Sequence, residues 1–258
     1  MRLMKRILSA AAVLALSASL LVGCSSGTAS SVPVSASSAA ESTVSSVEET
    51  ASSAVDENEA GAAQLLNDLT GSYQELWPVI LADEYKQTWL DDCTALVGED
   101  NAEAAFEKLS SMVTGDVYGE DAVKAYANGG GAYFCGFTNS LAILTFDGET
   151  STISGTDKDG NVLFSHTYHY IGMEPVRGLY EFQSDDADSG EFTYFFLAPD
   201  TSAETYHIEF RYGSDAEALS QYDTGEYAYW LASGISTDCD QTMIDNCIEL
   251  FCTENLAG

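Results

Sequence analysis

The chain has 258 residues, 45% of them hydrophobic, and its 41 Asp and Glu against 9 Lys and Arg give a formal charge of −32. That length and apolar content suffice for a core without disulfide staples. A surface so acidic repels phosphate backbones, which excludes nucleic acid as a partner; it concentrates cations, and it also serves plain solubility.

The N-terminus reads as an export signal. Arg2, Lys5 and Arg6 precede an apolar run over residues 7–22 that is too short and too rich in small residues for a membrane span. The run ends in Leu21-Val22-Gly23-Cys24-Ser25, which resembles the lipobox of bacterial lipoproteins. The resemblance implies a signal peptide over 1–23, cleavage before Cys24, and lipid on its sulfur and new amino group. The mature chain is then extracytoplasmic and held to the membrane by its lipid anchor. An uncleaved anchor, the other reading, also leaves the rest of the chain outside the cytoplasm. Cleavage removes three of the nine basic residues and leaves six against 41 acidic ones, or −35. Residues 24–60 are nearly all Ser, Ala, Thr, Val and Glu, with no aromatic residue. Such a segment cannot bury a core and reads as a disordered tether.

The folded domain is expected over 61–258, mostly β with added helices. Ala62, Leu65, Leu66 and Leu69 have helical spacing, and Gly71 stops that helix. Residues 81–96 read as a helix with Tyr85, Trp89 and Leu90. Another is expected over 101–113, capped by Asn101, with Ala105, Phe106, Leu109 and Met112 as its stripe. A short helix fits 120–126, and Gly129-Gly130-Gly131 breaks the chain. Strands are then expected over 133–138, 140–146, 150–156, 162–171, 177–182, 192–197 and 205–212, punctuated by turns such as Asp147-Gly148 and Asp159-Gly160. Strands so spaced predict a meander closing into a barrel or sandwich. A short helix over 215–221 and a C-terminal helix over 240–251, with Met243, Ile244, Cys247, Ile248 and Phe251 on one side, complete the series.

Residues 203–213 hold the strand with most chemistry. Alternation puts Tyr206, Ile208, Phe210 and Tyr212 on one face and Thr205, His207, Glu209 and Arg211 on the other. The polar row faces either a cavity or water. His207 is one of three histidines; His166 and His169, three apart, point to opposite strand faces. With Cys24 lipidated, Cys93, Cys135, Cys239, Cys247 and Cys252 remain, an odd number that leaves at least one thiol unpaired in the monomer. The spacings suit neither a disulfide scaffold nor a sulfur-rich zinc knot. Asp185-Asp186-Ala187-Asp188 lacks EF-hand spacing and reads as an acidic hairpin tip. A Cys135–His207 dyad has no third orienting group, no nucleophile elbow or phosphate loop occurs, and the chain is expected not to be an enzyme.

Three segments carry a wider resemblance. Residues 71–81, from Gly71-Ser72-Tyr73-Gln74 through Trp77-Pro78, form the first. Tyr168-His169-Tyr170-Ile171-Gly172 is the second. The third is Ala203-Glu204-Thr205-Tyr206-His207-Ile208-Glu209-Phe210, preceded by Ala198-Pro199 and followed by Gly213-Ser214-Asp215. In this order they resemble the ZinT (YodA) domain of bacterial periplasmic or surface zinc-handling proteins. The resemblance implies a lipocalin-like (calycin) antiparallel β-barrel with N-terminal helices and a C-terminal helix. It also implies zinc as cofactor, a role in metal homeostasis, and metal-transport components as partners. The family holds zinc with a His-x-His pair and a histidine on the preceding strand. Here His207 alone matches; Thr205 takes the first position of the pair, and Phe195 or Phe196 takes the upstream one. The resemblance therefore implies a largely lost three-histidine site centred on His207, with Glu209, His169 and His166 as candidate co-ligands. The alternative is a non-metal module binding a small ligand or protein, suggested by the phenylalanine at the ligand position and by the aromatic strands, whose rings either fill the barrel or line a cavity.

Overall fold

The computed structural model describes residues 57–127, 130–200 and 202–257. The expected signal peptide, Cys24 and nearly all of the expected tether lie outside the described residues.

Helix α1 covers 57–68. Its stripe is Ala62, Leu65 and Leu66, with Leu69 just beyond, all at most 4% exposed. The next residues form strand β1 (Gly71–Glu75) and helix α2 (Leu76–Ile80). The single helix expected over 81–96 is instead interrupted. Ala82 is extended, a 3-10 turn (Asp83–Tyr85) follows, and α3 begins only at Lys86 (Lys86–Val97). The Trp89 indole N–H donates to the Ile80 carbonyl at 2.7 Å across the break. Gly98, with φ 84°, turns the chain into α4 (Glu99–Val113) and takes the cap position, three residues before the expected Asn101. The Asn101 side chain donates instead to Val97 O. Helix α5 (Glu120–Ala125) follows.

Seven more strands come next: β2 (Ile143–Asp147), β3 (Thr152–Thr156), β4 (Val162–Met173), β5 (Tyr180–Ser184), β6 (Tyr194–Leu197), β7 (Ile208–Gly213) and β8 (Ala232–Ser236). All neighbours pair antiparallel in chain order, and β8 pairs β1, so the sheet is a closed eight-stranded barrel of lipocalin-like type. Short helices α6 (Ser202–Thr205) and α7 (Ala216–Leu219) flank β7. Helix α8 (Gln241–Leu256) ends the fold, capped by the Asp240 carboxylate, which accepts from Met243 N.

Several strands depart from expectation. Residues 133–138 make only isolated bridges at Phe134. Side chains take backbone donors that a ladder would have used: Phe137 N donates to Glu75 Oε1 and Thr138 N to the Tyr212 hydroxyl, both at 2.6 Å. Asn139 and Ser140 then turn left-handed and end the segment. No strand is expected from sequence at β8 or at β1. Both are short and polar, and each is completed by the other through pairs such as Gln74 with Ile235.

The core has two parts. Inside the barrel, Leu144, Phe146, Ile153, Phe164, Tyr168, Phe182, Phe195, Ile208, Phe210 and Tyr212 are at most 4% exposed. Their rings pack on one another: Phe195 lies 5.3 Å from Tyr212 and 5.4 Å from Tyr168, and Tyr212 lies 4.9 Å from Trp230. The strand aromatics therefore fill the barrel. Helix α1 packs into the same cluster. A second cluster joins Trp77, Trp89, Cys93 and Leu109 to Ile244, Ile248 and Cys252, and it reaches the sheet through Ile235. Among the described residues no helix is long and apolar enough to cross a membrane.

Candidate functional site

The stretch around His207 is a turn leading into a strand. Thr205 ends α6, and Tyr206 adopts φ 65°, a left-handed conformation that costs a β-carbon-bearing residue about 1 kcal/mol. Strand β7 then starts at Ile208. Thr205 and His207 are therefore turn neighbours, with Thr205 Oγ1 donating to His207 O at 2.8 Å. The expected continuous strand over 205–212 is shortened by this turn. Ile208, Phe210 and Tyr212 keep their alternation and point into the barrel core.

The other face of β7 is split. Arg211 is 0% exposed. Its guanidinium donates to the carbonyls of Leu219, Gln221 and Tyr227 and lies 4.3 Å from the Tyr222 ring centre. It pins the 219–227 segment to the barrel and is unavailable to solvent. His207 and Glu209 lie at the start of β7, their side chains 17% and 36% exposed.

His207 Nδ1–H donates to the Thr205 carbonyl at 2.7 Å, which leaves Nε2 as the free ring nitrogen. Nε2 is 3.9 Å from Glu209 Oε1. That is too long for a hydrogen bond. A tetrahedral zinc held by both atoms would set them about 3.4 Å apart, so the pair must close by about 0.5 Å to share one. Cys247 of α8 packs its sulfur 3.8 Å from His207 Nδ1. Burial first, then Glu254, pushes that thiol up to about 12, so it stays protonated and is neither a ready nucleophile nor a ready ligand. Two further carboxyls feel the imidazole. Burial, then Glu204, raises Asp200, and burial raises Glu254; His207 opposes the shift in both. Among the described residues, no group of three or more His, Cys, Asp and Glu side chains is placed to hold a metal ion. The donors present thus fit two-point contact with a cation and not a closed three-ligand zinc site.

The other sequence-selected residues lie apart. His166 and His169 are on β4, separated from β7 by β5 and β6 in the barrel order. Each ring Nδ1 is 2.6 Å from an aspartate, His166 from Asp186 and His169 from Asp185. Phe195 and Phe196 are both 0% exposed. Cys135 is buried, and burial holds its thiol far above the ordinary range. Asp200, Cys247 and Glu254 were not singled out by sequence reasoning. Asp200 directly follows the Ala198-Pro199 pair, a usable signal, whereas Cys247 reads only as part of an apolar helix stripe. A separate open groove of about 520 Å³, lined by Pro78, Val79, Leu141 and Ile143 with Glu75 and Lys158, runs between α2 and the β3–β4 turn. Its Glu75 carboxylate is already engaged by Phe137 N.

No protein-family model matches the chain, and no curated protein matches it. Among solved structures, the Zn(II)-bound ZinT-like domain of Streptococcus pneumoniae AdcA is similar over 72% of this chain and 89% of its own, at 15% identity and TM-score 0.45. Zn(II)-bound AdcA from Streptococcus pneumoniae is similar over 70% of this chain and 34% of its own, at 16% identity and TM-score 0.41.

Proposed function

We propose that this protein is a lipid-anchored extracytoplasmic binding module whose remaining metal chemistry is weak capture of a divalent cation, zinc first, at the His207–Glu209 edge. The reading is supported by one observation above all: His207 Nδ1 is tied to a backbone carbonyl, so Nε2 faces Glu209 across a gap of 3.9 Å. A carbonyl bond on one ring nitrogen is the usual way a histidine is oriented for a metal on the other. Asp200 and Glu254 add negative charge within reach of the imidazole. Two first contacts in place of three or four imply modest affinity. Delivery of metal to transport components, and the anchor at Cys24, belong to the same proposal and rest on the resemblances of sequence.

Titration of the metal-stripped protein with zinc tests it. We expect binding with a Kd of roughly 10–100 μM, about 5.5–7 kcal/mol. His207→Ala should weaken it about tenfold or more, and Glu209→Gln by a smaller factor. No binding up to about 100 μM, or an unchanged isotherm for His207→Ala, would remove the metal role.

A further inference from the structure

Cys93 on α3 and Cys252 on α8 are 159 positions apart in the chain, yet their sulfurs are 3.9 Å apart. Both residues are 0% exposed. The helices that carry them are held against each other where the ring of Trp89, one turn before Cys93, meets that of Phe251, next to Cys252, edge to face at 5.9 Å. Among the described cysteines this is the one sulfur–sulfur contact; Cys247 faces His207, and Cys135 lies near the Tyr133 carbonyl.

We propose that Cys93 and Cys252 form a disulfide in the mature protein. The inference rests on the extracytoplasmic reading, because paired thiols persist in a reducing cytosol and oxidise outside it. A disulfide needs a sulfur–sulfur distance of about 2.05 Å, so the two atoms close by about 2 Å. Rotation about the Cα–Cβ bonds produces movements of that scale.

The oxidant is a dithiol–disulfide oxidoreductase of the envelope, acting by thiol–disulfide exchange. One cysteine, as thiolate, attacks the donor's disulfide; that S–S bond breaks and one donor sulfur leaves. The second cysteine attacks the mixed disulfide, the Cys93–Cys252 bond forms, and the second donor sulfur leaves. The two thiol protons end on the donor's thiols, and two electrons reduce its disulfide. Because both sulfurs are sealed in the finished core, the exchange takes place before α8 docks on α3. The bond then fastens the helix that supplies Cys247 and Glu254 to the His207 edge.

Two preparations of the full chain separate this proposal from the export reading on which it rests. One is recovered from the bacterial envelope with thiols blocked at lysis, and the other is refolded in a glutathione redox buffer. In both, digestion without reductant should give one species joining the Cys93 and Cys252 peptides, two hydrogen masses lighter than their sum, which reductant splits. The bond should resist reductant in the folded protein and yield on unfolding. Reductant added during refolding should lower the melting temperature of the native sequence while leaving Cys93→Ala and Cys252→Ser unmoved. Alkylation of both cysteines after glutathione refolding would overturn the proposal. A bond formed on refolding but absent from envelope material would overturn the disulfide in the mature protein, whereas recovery of the chain in the cytosol with both thiols free would overturn export.

Discussion

Arg211 has no carboxylate partner; it is held by backbone carbonyls and the Tyr222 ring. Removing it leaves buried acceptors unpaired, at about 1–3 kcal/mol each. We expect Arg211→Met, which keeps much of the volume, to lower unfolding free energy by at least about 2 kcal/mol, read as a shift of the urea midpoint. An unmoved midpoint would mean that the carbonyls find water instead. The same residue marks where sequence reading stops. The alternation of Ile208, Phe210 and Tyr212 announced the buried face of β7, but a buried Arg211 opposite them was not legible. Its partners, Leu219, Gln221 and Tyr227, are 8 to 16 positions onward, at and beyond the end of a short helix whose pattern says nothing of the carbonyls it leaves exposed. His207 was legible as a candidate because histidines are rare here. Its Cys247 contact was not, because it crosses 40 positions into a helix whose own period explains that cysteine as core.

At the scale of elements, helix α1 is fixed by a close approach that only glycine permits. A β-carbon on Gly148, in the β2–β3 turn, would stand 2.4 Å from Asn67 Cα and 2.6 Å from the Leu66 carbonyl oxygen. Gly148 N also donates to Thr70 Oγ1 at 3.0 Å. Those are backbone neighbours that cannot rotate away. We therefore expect Gly148→Ala to push α1 off the barrel and to destabilise by about 1–3 kcal/mol. Amide exchange should rise first in residues 57–68. Equal protection of that helix in the variant and in the native chain would contradict this. The Asp147-Gly148 turn was visible in the sequence as a hairpin; that a helix rests on it was not. Likewise β4, long and aromatic, was legible, whereas the short, polar β1 and β8 gain their strand character from pairing with each other and with β2 and β7.

At the scale of the whole molecule, charge sets the response to pH. Asp92, Glu181, Asp200 and Glu254 are raised, each by burial first and then by acidic neighbours such as Glu249 for Asp92 and Glu174 for Glu181. A raised carboxyl means that the folded chain binds more protons than the unfolded one between the two pKa values. Stability therefore rises as pH falls from neutrality toward the ordinary carboxylate range, about 4, where the gain is complete. Asp157, lowered by hydrogen bonds from Asn161, acts in the opposite direction but is exposed. With a formal charge of −32, partial neutralisation also relieves self-repulsion. We expect the melting temperature to be higher near pH 5.5 than near pH 8, and the difference to shrink in about 1 M salt, where the Debye length is about 3 Å. A melting temperature that falls steadily from pH 8 to pH 5.5 would reverse the sign. The pairing of β1 with β8 has a consequence of another kind. An open sheet presents a row of unpaired amides and carbonyls on which a second chain can build, and crowding makes that addition more frequent. Here the first and last strands satisfy each other. Many copies held side by side, as the proposed anchor would hold them, therefore meet through acidic surfaces rather than through strands seeking partners.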